Sequence, residues 1–348
     1  MEKVVGVDVH KHQHVAALLD GVGRTLARLT FANTADGTQR LLAWLDTHDA
    51  DGALIGIENA ASYGQTLTVA LAHAGLQCVD VPPWRTSQQR KTLGPGKSDA
   101  IDAEAIARVV LARGATLAPA LQPELVRAMG LLDSTRDQEV RDRTKTIVRL
   151  RAVWASVDPV AEAAARNLAK PDRVRRLRRI VLPDSLVEQT VQRTIRMLAA
   201  RIAEHNHRIA QLESDIATLL DEHGNPVAEL VGAGPIVAAK LIAHAGDPSR
   251  FRSPAAFAAY SATAPITCGS GKTNGRHRLN QAGNRQLNAA IHRIALTQAR
   301  CHPDARVYIA RKISEGKTPR EARRALKRHL ANVVYRHLNA WADTNPLT

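Results

Sequence analysis

Two short apolar runs in the first sixty residues each lead into a carboxylate. Lys3–His10 carries Val4, Val5 and Val7 up to Asp8, and Ala53–Glu58 carries Leu54, Ile55 and Ile57 up to Glu58. Runs of this length, bounded by polar and turn residues, read as buried strands. A carboxylate at the end of a buried strand is costly unless something binds it. The pair therefore constrains both the fold and its use. His14–Leu19 and Thr25–Ala32 read as two more strands, separated by the turn signal Asp20-Gly21-Val22-Gly23. Thr38–Thr47 has helical spacing at Leu41, Leu42 and Leu45. Gly64–Ala74 reads as a helix stopped by Gly75, and Leu76–Val81 as a strand stopped by Pro82-Pro83. Ser98 is the expected N-cap of a helix reaching Arg113, with Asp99 and Asp102 three residues apart on one face. The expectation is an α/β domain over residues 1–113.

Four converging carboxylates, Asp8, Glu58, Asp99 and Asp102, would repel one another, and divalent cations resolve such repulsion. Oxygen-rich sites suit Mg2+ or Mn2+. Two ions about 4 Å apart can activate a nucleophile and stabilise the leaving oxygen in phosphodiester cleavage. Taken alone, Asp99, Asp102 and Glu104 also suit a helix N-terminus through its dipole. The strand-end carboxylates strengthen the joint reading. His10-Lys11-His12-Gln13-His14 reads as a polar turn between strands, because imidazole-rich sites suit zinc or copper rather than a carboxylate centre. Lys11, near Asp8, is a candidate phosphate contact.

Charge is placed unevenly. Residues 1–110 hold 10 Lys and Arg against 12 Asp and Glu, whereas residues 111–348 hold 38 against 21. A net charge of +15 concentrated in the later part points to a polyanion, and nucleic acid fits best. A membrane surface would call for Lys-rich amphipathic helices with aromatic anchors, which are missing, and no apolar run is long enough to span a bilayer. Eleven aromatic residues in 348 argue against base-stacking platforms for single strands. Cys78, Cys268 and Cys301 are odd in number and lack zinc-type spacing. With no apolar leader in the first residues, a cytoplasmic location is expected.

Residues 114–224 read as helical. Within 186–222, Ile195, Leu198, Ile202, His205, Ile209, Leu212, Ile216 and Leu219 alternate by three and four, an a/d seam with one polar position. The expectation is a coiled coil that sets dimer register, the alternative being a helix packed within its own chain. Residues 225–348 read as a second helical domain. In it, Glu229–Ile242 resembles a helix-hairpin-helix element, whose backbone N–H groups can hold a DNA phosphate without reading sequence. Arg311, Lys312, Arg320, Arg323, Arg324, Lys327 and Arg328 form a basic helical stretch suited to backbone phosphates.

The order strand-Asp, two strands, strand-Glu, helix-borne Asp pair resembles the ribonuclease H-like fold of RuvC-like Holliday-junction resolvases. The wording Gly6-Val7-Asp8-Val9-His10-Lys11, Gly56-Ile57-Glu58 and Lys97-Ser98-Asp99-Ala100-Ile101-Asp102-Ala103 resembles the DEDD-type insertion-sequence transposases, the bridge-RNA-guided recombinases. Gly246–Phe251, Ala259-Tyr260, Ala264-Pro265, Ser270-Gly271-Lys272, Gly275–Arg278 and Gly283–Leu287 are similar to that family's C-terminal domain. The resemblance implies an α/β ribonuclease H-like mixed-sheet domain plus an all-α remainder. It implies Asp8, Glu58, Asp99 and Asp102 as ligands of two Mg2+ ions, with Mn2+ as a substitute, and Ser270 as nucleophile, with Ser261 the alternative. Lys272, Arg276, Arg278 and Arg285 would hold the phosphate. Ala262-Thr263 and Asn280-Gln281 depart from the family's usual wording. The implied partners are an element-encoded guide RNA, donor and target DNA, and further copies of the chain, as a homodimer and as a tetramer on DNA. The residues also leave open a metal-dependent junction nuclease without a covalent intermediate, and a non-catalytic RNA- or DNA-binding protein.

Overall fold

A computed structural model describes residues 3–94, 96, 98–183, 185–267, 277–278 and 283–345. These fall into two compact units, 1–123 and 124–348.

The first unit is built on β1 (Val4–Val9), β2 (Gln13–Leu19), β3 (Thr25–Ala32), β4 (Leu54–Glu58), β5 (Cys78–Val81) and β6 (Ala118–Pro119). They form one sheet in the order β3-β2-β1-β4-β5-β6. β1, β2 and β3 pair antiparallel, β1, β4 and β5 pair parallel, and β6 returns antiparallel. Helices α1 (Ala35–Thr47), α2 (Gln65–His73), α3 (Pro83–Leu93) and α4 (Asp99–Arg113) complete it. This is a mixed sheet, antiparallel on one side and parallel in the middle, as the resemblance implies. Strand alternation sends Val5, Val7, Val9, Ile55 and Ile57 into a core shared with Leu41 and Leu45 of α1 and Leu67 and Leu71 of α2. The opposite face, with Val4, Val15, Ala17 and Val81, packs on Ala103, Ile106, Ala107 and Val110 of α4. Cover on both faces explains why β1, β2 and β4 read as continuous apolar runs rather than as alternation. Edge strand β3, covered on one face, alternates covered and exposed residues and buries Phe31.

The segment between Val81 and Ser98, where the sequence suggests only a stop, forms α3. Pro83 sits in its first turn, where the missing N–H removes no helix hydrogen bond. Proline therefore ends one element and begins the next.

The second unit contains α5 (Glu124–Ala155), α6 (Pro159–Ala164), α7 (Pro171–Leu177), α8 (Leu186–His223), α9 (Pro235–Ala245), α10 (Pro254–Tyr260), the strand pair β7 (Ile266–Thr267) and β8 (His277–Arg278), α11 (Arg285–Cys301), α12 (Pro303–Ser314) and α13 (Pro319–Thr344). Helix α8 starts at a capping box formed by Ser185 and Glu188. It lies antiparallel to α5, as Arg136–Glu213 at 2.7 Å, Arg143–Asn206 at 2.8 Å and Glu139–His205 at 2.6 Å show.

This pairing corrects the expected dimer seam. Ile195, Leu198 and Ile202 are buried with Leu150 of α5 and Val174 and Leu177 of α7. Ile216 is buried with Val126 and Met129 of α5. The polar position His205 meets Glu139 of the same chain. Most of the a/d stripe is thus covered within one chain, with Leu212 left half-buried. The same core joins Ile216 and Leu220 of α8 to Ile242 of α9, Ile291 of α11 and Leu330 of α13, so residues 114–224 and 225–348 do not separate as two domains.

The residues expected to open the helix-hairpin-helix, Glu229 to Val231, run as turns between α8 and α9. Gly232 there has φ +92°, and a Cβ on it would come within 2.9 Å of Thr297 Cβ. No described helix is long and apolar enough to cross a membrane.

Ile202 is fully buried. Ile202→Asp should lower the unfolding free energy by at least about 3 kcal/mol, through lost apolar burial and a buried unpaired carboxylate. Denaturant unfolding measures it. Altered sedimentation with an unchanged unfolding midpoint would mean that this seam joins two chains.

Candidate metal centre

Gly6 and Gly56 face each other in register on the parallel strands β1 and β4. A Cβ on Gly6 would lie 2.2 Å from Ala107 N and 2.3 Å from Ala103 O, and one on Gly56 would lie 2.2 Å from Val110 Cγ2 and 3.2 Å from Ile106 Cγ2. Helix α4 therefore rests directly on the two strands. Asp99, Ala103 and Ala107 follow at i, i+4 and i+8, as do Asp102, Ile106 and Val110, so each aspartate shares a ridge with the residues over one glycine. Two residues beyond the glycines, on the same strand face, stand Asp8 and Glu58. The Ser98 Oγ accepts from Ile101 N and fixes where α4 begins.

The centre is partly enclosed. Asp8 and Asp102 are buried, Glu58 and Asp99 half-buried. The Asp8 carboxyl is pushed up to about 6. Burial is the main cause; His10 opposes it, while Asp102, Glu58 and Asp99 add repulsion. Asp102 Oδ1 accepts a 2.6 Å hydrogen bond from Arg90 Nη1 of α3. That bond is the first cause holding the Arg90 guanidinium above its ordinary value. Glu104 is engaged by Arg28 at 2.8 Å and Arg108 at 3.0 Å. The remaining donors fit a hard divalent ion: ligand atoms of Asp8, His10 and Asp99 all lie within 4.8 Å of one another, and the carboxylates crowd one spot.

Two residues at this centre escaped the sequence reading. Arg90 lies on the unexpected helix α3. His10 does sit in a turn between strands, yet its Nε2 lies 3.2 Å from Asp8 Oδ2 and 3.5 Å from Asp99 Oδ1. Its spacing of two from Asp8 was the available signal, since such residues share a strand face. His14 is buried edge-on to Phe31, and burial pushes its pKa down.

Of the candidate phosphate contacts, Lys11, Arg285, Arg320 and Arg324 are exposed and Arg323 half-buried. Arg278 pairs with Ile266 in the β7–β8 ladder. Ser270, Lys272 and Arg276 lie outside the described residues. Lys327 is a correction: it is 9% exposed, and burial pushes its ammonium down. Its Nζ donates to Asn288 Oδ1 at 2.7 Å, and Asn288 Nδ2 donates to the carbonyls of Ser261 and Ala262 at 3.1 and 2.9 Å. Lys327 braces that turn from inside the unit rather than facing a phosphate. The spacing of residues 327, 331, 334, 338 and 341 marks it as part of the buried stripe of α13. Ser261 is fully buried, with Oγ 3.1 Å from Thr263 Oγ1, which does not suit an attacking group.

Comparison with known proteins identifies the family. Residues 5–159 match a family model described as a transposase, of the DEDD, IS110 type, and residues 225–310 match one described as the transposase IS116/IS110/IS902 family. The insertion element IS116 44.8 kDa protein of Streptomyces clavuligerus is 26% identical over 95% of this chain and 93% of its own length. The insertion element IS900 42 kDa protein of Mycobacterium paratuberculosis is 24% identical over 99% and 97%. Among solved structures, RuvC of Thermus thermophilus in complex with a Holliday junction substrate is 19% identical, covering 34% of this chain and 99% of RuvC, with a TM-score of 0.28.

In metal-free protein, folded Asp8 titrates near 6 against an ordinary 3.8. The folded state therefore holds the extra proton between those values, and stability falls as pH rises through the window. Asp8→Asn removes this loss. In chelator, its Tm relative to wild type should rise as pH goes from about 4 to about 7. A Tm difference that does not vary with pH would show Asp8 to be unperturbed.

Proposed function

This chain belongs to the IS116/IS110/IS902 family of transposases, and we propose that it cuts and rejoins the DNA of its own insertion sequence under an element-encoded guide RNA. The observation that carries the catalytic part is the convergence of Asp8, Asp99 and Asp102, with Glu58 at the neighbouring strand end, where α4 rests on β1 and β4. The uneven charge supports a polyanionic partner for residues after 110.

In this reading Ser270 supplies the attacking oxygen. Its Oγ bonds to phosphorus, the P–O3′ bond breaks, and the DNA end is held as a 5′-phosphoserine while the serine gives up its hydroxyl proton to solvent and the departing 3′ oxygen takes one up as a 3′-hydroxyl. A 3′-hydroxyl then attacks that phosphoserine, which restores a phosphodiester and frees the serine. Asp8, Glu58, Asp99 and Asp102 would hold two divalent ions, Mg2+ or Mn2+ in its place, which would supply neutralisation of charge on the phosphate. Lys272, Arg276, Arg278 and Arg285 hold the phosphate. Lys11 meets a phosphate, and Arg90 adds positive charge beside Asp102. Arg320, Arg323 and Arg324 contact nucleic-acid backbone through charge alone. The protein works in the cytoplasm as a homodimer that becomes a tetramer on DNA. Its contacts between copies lie elsewhere than the α8 stripe, which α5 covers.

Ser270→Ala should bind RNA and DNA as wild type does and yield no covalent protein–DNA adduct on denaturing gels. Asp8→Asn should abolish strand exchange. Cleavage by Ser270→Ala, with no adduct from wild type, would instead make the protein a metal-dependent junction nuclease. Full recombination by Asp8→Asn would remove the carboxylates from the chemistry.

A further inference from the structure

We propose that His10 is a nitrogen ligand of the metal ion held by Asp8 and Asp99, and that it biases this position towards Mn2+ over Mg2+. The inference rests on the reading of the carboxylates as a metal centre and adds to it a ligand outside the four acids.

The geometry is that of donors around one ion. His10 Nε2 lies 3.2 Å from Asp8 Oδ2 and 3.5 Å from Asp99 Oδ1. Adjacent donors on an octahedral ion with bonds of about 2.1 Å stand about 3 Å apart. His10 Nε2 thus stands near that spacing from a donor of each acid, and ligand atoms of all three residues lie within 4.8 Å of one another. Asp102 is turned to a different partner, the Arg90 guanidinium at 2.6 Å. The centre is thus uneven: Asp8 and Asp99 stand with an imidazole, whereas Asp102 is already matched by a cation.

The backbone holds His10 in place. Its N–H donates to Gln13 O at 3.1 Å, closing the turn that joins β1 to β2, and lies 3.3 Å from His14 Nδ1 as a second acceptor. Val9 and His14 form the last pair of the β1–β2 ladder, so His10 is the first residue beyond it. Its side chain is 47% exposed. It can therefore approach an ion at the open side of the centre without burying a further charge. A nitrogen donor matters for the choice of metal. Mg2+ strongly prefers oxygen donors and keeps its waters, whereas imidazole suits first-row transition ions.

Calorimetric titration of the chelator-treated full chain with Mn2+ and with Mg2+ tests this, together with pulsed EPR of the Mn2+-loaded protein. His10→Ala should weaken Mn2+ binding by at least about tenfold, the size that lost supporting contacts alone produce at metal sites, and Mg2+ binding much less. An imidazole-nitrogen coupling to Mn2+ should be present in wild type and in His12→Ala and absent in His10→Ala. Asp8→Asn should abolish binding of both ions. If His10→Ala keeps wild-type Mn2+ affinity and wild type shows no nitrogen coupling, while Asp8→Asn still abolishes binding, His10 merely pairs with the carboxylates. The inference then fails and the metal centre stands. If Asp8→Asn binds both ions like wild type, the metal-centre reading fails and this inference with it.

Discussion

The close approach of α4 to β1 and β4 is the constraint on which the centre depends. Any side chain at residue 6 would place its Cβ inside the backbone of Ala103 and Ala107. Any side chain at residue 56 would strike Val110. With glycine at both, small and branched residues of the helix sit on the bare strands, and the first turn of α4 falls beside the strand ends. Four acids separated by as much as 94 positions in the chain thereby gather at one end of the sheet. Their mutual repulsion and the burial of Asp8 work against folding, and the apolar packing on both sheet faces offsets this. A cation would relieve the charge that the packing imposes.

Much of this unit was legible because its physics is local. Strands buried on both faces are apolar along their whole length, and Ser98 announces the start of α4 by the oxygen it offers to Ile101 N. The α3 helix was not legible, since Pro83 serves equally well to end a strand or to open a helix. Arg90 was missed with it. The chemistry of histidine-rich metal sites argues against His10, although a spacing of two from Asp8, just past the end of β1, brings it to the carboxylates.

The second unit shows where pattern alone runs out. A stripe at heptad spacing reports that a helix is covered, not whether its own chain or a second copy covers it. Here α5 and α7 supply cover for most of the stripe, and Glu139 answers the single polar position. A basic cluster likewise reports net charge, not direction. Arg320 and Arg324 face solvent, while Lys327, in the same run, points inward and holds Asn288. At the boundary expected at 224, α5 and α8 contribute side chains to the same core as the C-terminal helices.

The most direct test of this account leaves every acid in place. Gly6→Ala inserts one methyl group between β1 and α4, at a cost of roughly 1–3 kcal/mol for an overpacked core. The Mn2+ affinity of the folded variant, measured by calorimetry beside its circular dichroism spectrum, reads whether that contact positions the ligands. The account predicts a folded chain that binds Mn2+ at least about tenfold more weakly than wild type. Wild-type affinity in Gly6→Ala would contradict it, because the carboxylates would then converge without the close approach of α4.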